Sequence, residues 1–527
     1  GFDCVEINAA GENIGQTFMS RNRNKREDDY GPQTFESRTR FVCEIVRGIK
    51  AECGEDFPVQ VLINGVEEND KAIGDNAFFT TVEENKEMCK LIEAAGADSL
   101  HIRIGPCGQH VAEFAGDLYF CGTGIEGTTG YGTQFDFTRH WQGMLKADQS
   151  GLGIMVPVAA EIKKAVSIPV GAVTYMDPAR DPEFFESLIA SGELDFILMN
   201  RPLSVDYDYL HKLEEGRIDE IRPCTRCMHC HWDAADDGNL TFSCRTNAAH
   251  PFRFVTGQLT GSYDPEPAAT AKNVVVVGAG PAGLEAARVA AERGHSVTLY
   301  EKKGSVGGLL EFANNVKGPH ENLSVLRSYF ERQMEVLGVN VMLNTEATAD
   351  IIAEASPDIV IAATGGVRDT LGLSDTAGTK VVGIDDFMMA DIAEEVVIVG
   401  SNVQAIDAAM YLLAQGKHVQ VVTPNAASAI GAGHSFWVKT FTQPNMKALG
   451  VRFWPEATVT AVNDGSVTVK TATGIEQEIA CGTVVEALDC LPNDNLSTGL
   501  SCEVVTVGDA ARPFNIGEAI CSGNAAA

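Results

Sequence analysis

Asn273-Val-Val-Val-Val277, then Gly278-Ala-Gly280-Pro-Ala-Gly283, and after a helical stretch Val297-Thr-Leu-Tyr-Glu301: this passage decides the fold. The apolar run predicts a buried strand, the glycines a tight turn, and Leu284 to Arg293 the helix that the turn opens. Gly278 permits the turn, Gly280 lets a pyrophosphate approach the backbone, and Gly283 lets the helix pack closely on the strand. Amide groups and the dipole at the helix start favour the negative charge of a phosphate. Glu301 ends the second strand at the distance that reaches a ribose hydroxyl. A lone GxGxxG is weak evidence. With its strand, helix and acid in place, it specifies an adenine dinucleotide or nucleotide.

A second passage of the same kind lies downstream. Val396-Val-Ile-Val399 predicts a strand, Gly400-Ser-Asn402-Val-Gln-Ala405 a turn, and Ile406 to Ala414 a helix. The middle glycine has become Asn402, which tolerates a left-handed backbone but brings a side chain toward the phosphates. His418-Val-Gln-Val-Val-Thr423 ends without an acidic residue. Residues 391–480 therefore read as a fold inserted into the first, which occupies 261–390 and 481–527. NAD(P)H binding at Gly400, Asn402 and Ala405, or a fold kept for packing, are the two readings of the insert.

Upstream, Cys224, Cys227, Cys230 and Cys244 follow a C-x2-C-x2-C-x13-C spacing, so four thiols fall within one short loop. That donor set suits a four-iron cluster or a zinc ion. The flanking folds favour a redox centre. His229 falls between the ligands, but the four cysteines complete the set without it. Gly257 to Ala271, rich in Gly, Ser, Pro and Ala, reads as a linker; 224–260 is the cluster segment.

Residues 1–223 alternate strands and helices. Cys4–Ile7, Val59–Ile63, Ser99–Ile104, Ile168–Val173 and Asp195–Met199 read as strands buried on both faces. Amphipathic segments lie between them, from Glu36 to Lys50, Val82 to Ala95, Pro157 to Ala165 and Pro182 to Ser191. This order predicts a parallel sheet with right-handed crossovers. Five strands are too few for a closed eight-stranded barrel, and the chain opens at Gly1-Phe2-Asp3 without a methionine, at the mouth of a strand. The expectation is an α/β chain: a partial (β/α)8 TIM barrel, strands four to eight, followed by two nested Rossmann-like folds. A segment from Gly105 to about Gly153 is long enough to be a substrate lid; it holds His110 and Tyr119, the candidate proton donors.

The chain of 527 residues carries 72 acidic and 40 basic side chains, a formal net charge of −32. Such a charge repels nucleic acid and anionic membrane, so neither is an expected partner. No run of about 18 apolar residues is present. Fourteen cysteines that include a thiolate cluster point to a reducing, cytoplasmic setting. A homo-oligomer is compatible with all of this.

Asn24-Lys25-Arg26, Asp28, Tyr30-Gly31, Glu36 and Arg38-Thr-Arg40-Phe41 resemble the segment after the fourth barrel strand of the old yellow enzyme family. The resemblance is greatest to its long branch with 2,4-dienoyl-CoA reductase and trimethylamine dehydrogenase. Leu213-Glu-Glu-Gly216-Arg217, Asp219 to Cys224 and the cysteine spacing extend it, and it covers essentially the whole chain. It implies FMN in the barrel, a 4Fe-4S cluster beside it and an adenine nucleotide in the next domain. Gly308 and Gly365 resemble the nucleotide contacts of flavoproteins with two dinucleotide folds. Asp509 resembles the aspartate at a flavin ribityl chain, which favours FAD over ADP. The family's His, His and Tyr after strand four are here Asn8, Gly11 and Asn13, and its strand-five arginine is Leu62. Arg103 is the candidate to replace that arginine; Thr174 and Arg201 are the candidate FMN phosphate contacts. The implied activity is electron transfer from NAD(P)H through FAD and the cluster to FMN, reducing an activated C=C bond in a small unsaturated substrate. An amine dehydrogenase and an electron-transfer module lacking FMN are the alternatives.

Overall fold

The computed structural model describes residues 2–11, 13–67, 79–105, 152–153, 155–227, 229–231, 233–234, 240–241, 244–250, 265–317, 321, 323–435, 439, 443, 446–447, 449–493, 495–497 and 500–527. They form two compact units, one reaching Leu203 and one continuing from Ser204.

The first unit contains a five-stranded parallel sheet in sequential order: β1 (Val5–Ala9), β2 (Val59–Glu67), β3 (Ser99–Gly105), β4 (Val170–Ala172) and β5 (Phe196–Ile197). Parallel neighbours require crossovers; those described are α1 (Ile14–Met19), α2 (Phe35–Cys53), α3 (Val82–Ala94), α4 (Val156–Lys163) and α5 (Pro182–Ala190). Thr34 and Thr81 start α2 and α3 with reciprocal capping boxes, each side chain accepting from an amide that the first turn leaves unpaired. The central strands β2 and β4 are buried on both faces, as their apolar runs predict. The outer two differ from that expectation. Val5, Ile7 and their neighbours on β1 alternate between half-buried and exposed, and both residues of β5 are half-buried, because an outer strand has a partner on one side alone.

The second unit holds two further parallel sheets. The first has the order β10-β9-β8-β11-β20, with β8 Asn273–Val277, β9 Ser296–Tyr300, β10 Asn340–Met342, β11 Ile359–Ala362 and β20 Glu503–Thr506. Helix α6 (Pro281–Glu292) begins three residues before the sequence-predicted start. Gly280 is its N-cap and Pro281 opens its first turn, where a missing N–H costs nothing. Helices α7 (Leu309–Lys317) and α8 (Leu323–Val336) follow β9. Val274, Val276, Leu284, Leu299 and Phe330 share one core; burying each large apolar side chain contributes about 1.5–3 kcal/mol.

The other sheet has the order β12-β19-β13-β14-β15: β12 Lys380–Gly383, β13 Glu395–Val399, β14 His418–Val422, β15 Arg452–Trp454 and β19 Thr483–Glu486. It draws on strands on either side of 391–480. Helix α9 (Val403–Ala414) follows β13. Val396 and Ile398 pack under α9, while Val397 and Val399 pack against the antiparallel meander β16 (Ala457–Asn463), β17 (Ser466–Thr471) and β18 (Glu476–Ala480). Successive residues of one strand thus serve two cores. After the cysteine triplet, β6 (Asp233–Ala234) pairs antiparallel with β7 (Leu240–Thr241). Helix α10 (Ile516–Ala526) completes the chain's described elements. No helix among the described residues is long and apolar enough to cross a membrane.

Candidate functional site

A cavity of about 810 Å³ lies within the second unit. The sequence fingerprint of the first nucleotide fold forms part of its wall. Gly278 has φ 101°, and a Cβ there would lie 2.3 Å from the Ala363 carbonyl oxygen. At Gly283 a Cβ would lie 1.9 Å from the Gly278 carbonyl oxygen. Both positions require glycine for steric reasons. Gly280 differs, since nothing lies within 4 Å of the place a Cβ would take. No side chain caps α6, so the amides at its start face open space, as an anion site needs. Gly308 approaches Gly280 closely, its would-be Cβ 3.0 Å from the Gly280 Cα. Glu301 Oε2 accepts the Ala279 N–H at 2.8 Å and Oε1 the Lys303 N–H at 2.8 Å. The turn itself therefore orients that carboxylate on the cavity wall. Gly365 and Asp509 line the same cavity. Burial raises the Asp509 carboxyl above its usual range, opposed by the Phe514 N–H and by Arg368.

The second fold repeats this framework bond for bond. Gly278 N–H donates to Tyr300 O at 2.8 Å and Gly400 N–H to Val422 O at 2.9 Å; Ala363 N–H donates to Val277 O and Ala487 N–H to Val399 O, both at 2.8 Å. A Cβ on Gly400 would lie 2.0 Å from the Ala487 carbonyl oxygen. Gly280 thus corresponds to Asn402, Gly283 to Ala405, Glu301 to Thr423 and Gly365 to Asp489. Asn402 has φ −71°, so the left-handed backbone considered from the sequence is not used. Its side chain turns back onto the helix instead of reaching outward. Oδ1 accepts the Ala405 N–H at 2.9 Å, and Nδ2 donates to Asp489 Oδ1 at 3.0 Å and Ala487 O at 3.1 Å. The cause is local, because asparagine is among the best N-caps. Thr423 Oγ1 donates to Ser401 Oγ at 3.0 Å.

Cys224, Cys227 and Cys244 are buried and Cys230 is half-buried. Cys224 and Cys244 pack with Val205. Burial pushes the Cys227 thiol up, but the Arg245 guanidinium and His229 more than offset it and hold the thiol below its ordinary value. Burial and the neighbouring Cys227 raise Cys244, whose Sγ accepts the Thr246 N–H at 3.4 Å. Among the described residues no three His, Cys, Asp or Glu side chains are gathered closely enough to hold a metal ion. The four thiols thus form a loop with the right donor chemistry and no closed cage.

Two buried ion networks, only faintly marked in the sequence, anchor this loop. Arg222, two residues before Cys224, reaches Glu285 of α6 at 3.3 Å, and Arg288 reaches the same carboxylate at 2.9 Å. Asn524 Nδ2 donates to it at 3.0 Å. Burial opposes ionisation of Glu285, but Arg222 and Arg288 hold its pKa down, to about 2. On the other side Arg245 pairs with Glu321, Lys317 with Glu321 at 2.8 Å and with Asp407 at 3.4 Å, and His434 Nε2 with Asp407 at 3.0 Å. All five side chains are buried. A charged residue inside an apolar helical pattern, as at Glu285 and Asp407, is the one signal that marks them.

In the first unit the candidate residues lie in or just after the C-terminal halves of the strands. Arg103 lies opposite Asn64 in the β2–β3 register, and Arg201 opens the short helix after β5. Thr174, after β4, has φ 91°, followed by Tyr175 at 48°; the left-handed region is strained for a β-branched residue. Sequence reasoning missed Asn64. Its Oδ1 accepts the Gly11 N–H at 3.0 Å, while Nδ2 is buried without a hydrogen-bond partner among the described residues. A polar residue before Gly65 in an apolar strand was its signal. His110 and Tyr119 lie outside the described residues, as does most of the Gly257–Ala271 linker.

Residues 272–509 match the family model of the pyridine nucleotide-disulphide oxidoreductases, and residues 1–105 that of the NADH:flavin oxidoreductase / NADH oxidase family. The chain is 34% identical over 428 residues to an NADH oxidase of Thermoanaerobacter brockii, covering 80% of this chain and 58% of the relative. With a cinnamate reductase of Clostridium sporogenes it shares 32% over 432 residues, again 80% and 58%. With a bilirubin reductase of Mediterraneibacter gnavus it shares 30% over 498 residues, 94% and 69%. The chain thus spans 58% of the length of the first two relatives. A 2-naphthoyl-CoA reductase complex superimposes with a TM-score of 0.79 at 28% identity, covering 99% of this chain and 73% of that one.

Proposed function

The chain belongs to the NADH:flavin oxidoreductase family of old yellow enzyme type, with a pyridine nucleotide-disulphide oxidoreductase region, and from this we propose that it works as an iron–sulfur flavoenzyme. Electrons would pass from NAD(P)H through FAD and a 4Fe-4S cluster to FMN, reducing an activated carbon–carbon double bond. Flavin supplies two-electron exchange with a nicotinamide when bound, and the cluster one-electron transfer.

The single observation carrying this reading is the continuity of the cavity. His229 and Arg245 of the cysteine loop, Gly280 and Asp509 of the first fold, and Asn402 and Gln404 of the second line one space. Gly280 and the uncapped start of α6 would take the FAD pyrophosphate, Glu301 the ribose and Asp509 the ribityl chain. Cys224, Cys227, Cys230 and Cys244 would close around the cluster, with Arg245 beside them balancing thiolate charge. The five-stranded sheet is read as strands four to eight of a barrel, where strand ends commonly hold a phosphate. Arg103, Thr174 and Arg201 would hold FMN there, and the unpaired amide of Asn64 suits an acceptor on that flavin. Cinnamate, the compound in one relative's name, has a double bond conjugated with a carboxylate, which sets the substrate class.

Cofactor extraction with iron and sulfide analysis on a longer form of the protein tests this. The expected result is FAD, FMN and about four irons per chain, with NADH oxidation stimulated by enones or unsaturated carboxylates. Iron without flavin would sink the proposal.

A further inference from the structure

The correspondence between the two nucleotide folds is close enough to compare them position by position. Where the first fold places Gly280 and Gly365 at the mouth of its phosphate site, the second places Asn402 and Asp489, hydrogen-bonded to each other at 3.0 Å. In the first fold the start of α6 carries no side-chain cap and opens onto free space. In the second, the Ala405 N–H at the start of α9 is already held by Asn402 Oδ1 at 2.9 Å. The same turn is covered from outside: Gly431 N–H donates to Ser401 O at 2.7 Å and Asn402 forms a bridge with Ala432. Asn402, Gln404 and Asp489 nonetheless line the shared cavity, so a ligand in that cavity meets this pair.

We infer that the Asn402–Asp489 pair is a latch that sets how tightly the second fold takes a dinucleotide. A pyrophosphate arriving at α9 has to displace the Asn402 carbonyl from the Ala405 amide, and has to settle beside the Asp489 carboxylate. The first requirement exchanges one hydrogen bond for another; the second sets like charges against each other at an exposed carboxylate, a repulsion that water and salt screen in part. Glycine at these two positions removes both obstacles at once, which is the arrangement the first fold uses. The latch also explains how one chain keeps two nucleotide sites distinct. The open site retains its nucleotide permanently, while the latched site holds one loosely and releases it after reaction. Thr423 carries no charge and its hydroxyl is engaged with Ser401, so it does not replace the ribose grip of Glu301, and affinity at the second fold rests on the phosphate end.

This inference deepens the proposed reading, in which the second fold receives NAD(P)H. The test is calorimetric titration of the flavin-loaded protein with NAD+ and with NADP+, which bind without reducing the flavin, at low and at physiological salt. The proteins compared are wild type, Asn402→Gly, Asp489→Asn and the double variant. Glycine is a tolerated cap, a few tenths of a kcal/mol below asparagine, so Asn402→Gly is expected to fold; thermal unfolding and flavin content check this for every variant. The latch requires each single variant to tighten binding of at least one nucleotide about tenfold, a change of about 1.4 kcal/mol. The double variant should gain less than the product of the two, because the residues act as a unit. Asp489→Asn should also flatten the salt dependence. Unchanged or weaker binding in folded, flavin-replete variants overturns the latch and leaves the nucleotide reading standing. Absence of binding in all four proteins at millimolar nucleotide overturns that reading, and the latch with it.

Discussion

The two nucleotide folds of the second unit share a backbone plan and differ at its mouth. Corresponding hydrogen bonds place Gly278 with Gly400 and Ala363 with Ala487, and in both folds a Cβ on the turn glycine would strike the facing carbonyl. That part of the plan is steric and admits no variation. The positions proposed to meet a ligand have diverged. Gly280 leaves space, whereas Asn402 fills its own cap; Glu301 is a buried carboxylate, whereas Thr423 is a hydroxyl engaged with Ser401. A fold can keep its geometry while the residues that meet the ligand change, so strand–turn–helix pattern and binding have to be argued separately.

The sharpest way to break this comparison is to remove what holds the first fold to the cysteine loop. Replacing Glu285 by Gln leaves Arg222 buried without a counter-charge and Arg288 with Glu292 alone, and is expected to cost about 3–5 kcal/mol, read as a lower urea midpoint. The same residue predicts the acid behaviour. Its pKa is depressed in the folded state to about 2, from about 4.3 when unfolded. Its stabilisation is therefore present above about pH 4.3 and is lost as pH falls toward 2. The Gln variant should show a shallower fall of stability across that window.

Next in size, Gly280→Ala separates binding from folding. Its φ of −78° suits alanine and no atom stands in the way, so thermal stability should stay nearly constant. The methyl enters the space proposed for the pyrophosphate, and flavin retention through gel filtration should drop at least about tenfold, or about 1.4 kcal/mol. Loss of stability with flavin retained would show that the open space is not the phosphate site. The matching change in the second fold, Asn402→Ala, removes a cap and should cost about 1 kcal/mol of stability, with flavin content unchanged. Smallest of all, Thr174→Gly is expected to raise stability by about 1 kcal/mol or less, read as a higher urea midpoint. It relieves a threonine at φ 91°, and that relief exceeds the added freedom of glycine when unfolded.

Periodicity and motif spacing made much of this legible. The strand at Asn273–Val277 lies where its valine run predicts, because apolar runs bounded by glycine leave few alternatives. The parallel order of the first sheet follows from alternation of strand and helix. What escaped depends on contacts between distant residues. Nothing near Glu285 in the sequence announces Arg222, 63 positions away. Nothing beside Asn402 announces Asp489, 87 positions away, so the asparagine was read as reaching toward a phosphate when it caps its own helix. Asn64 was passed over because the strand around it is apolar, and its significance lies in a buried amide left without a partner among the described residues.

The line Arg245, Glu321, Lys317, Asp407 and His434 has a mechanical consequence. It begins beside the cysteine loop and ends in the inserted fold, its charges alternating in sign from Arg245 to Asp407 before it closes on the His434 imidazole. A hinge rotation of the insert away from α7 would pull Asp407 from Lys317 and leave each with one remaining partner, His434 and Glu321. The cost of such a rotation is smaller than that of leaving a buried charge wholly unpaired, about 3–5 kcal/mol, and it falls on the middle of the line first. The insert is therefore riveted to α7 and to the cysteine loop through shared charges, so a displacement at one end of the line is felt at the other.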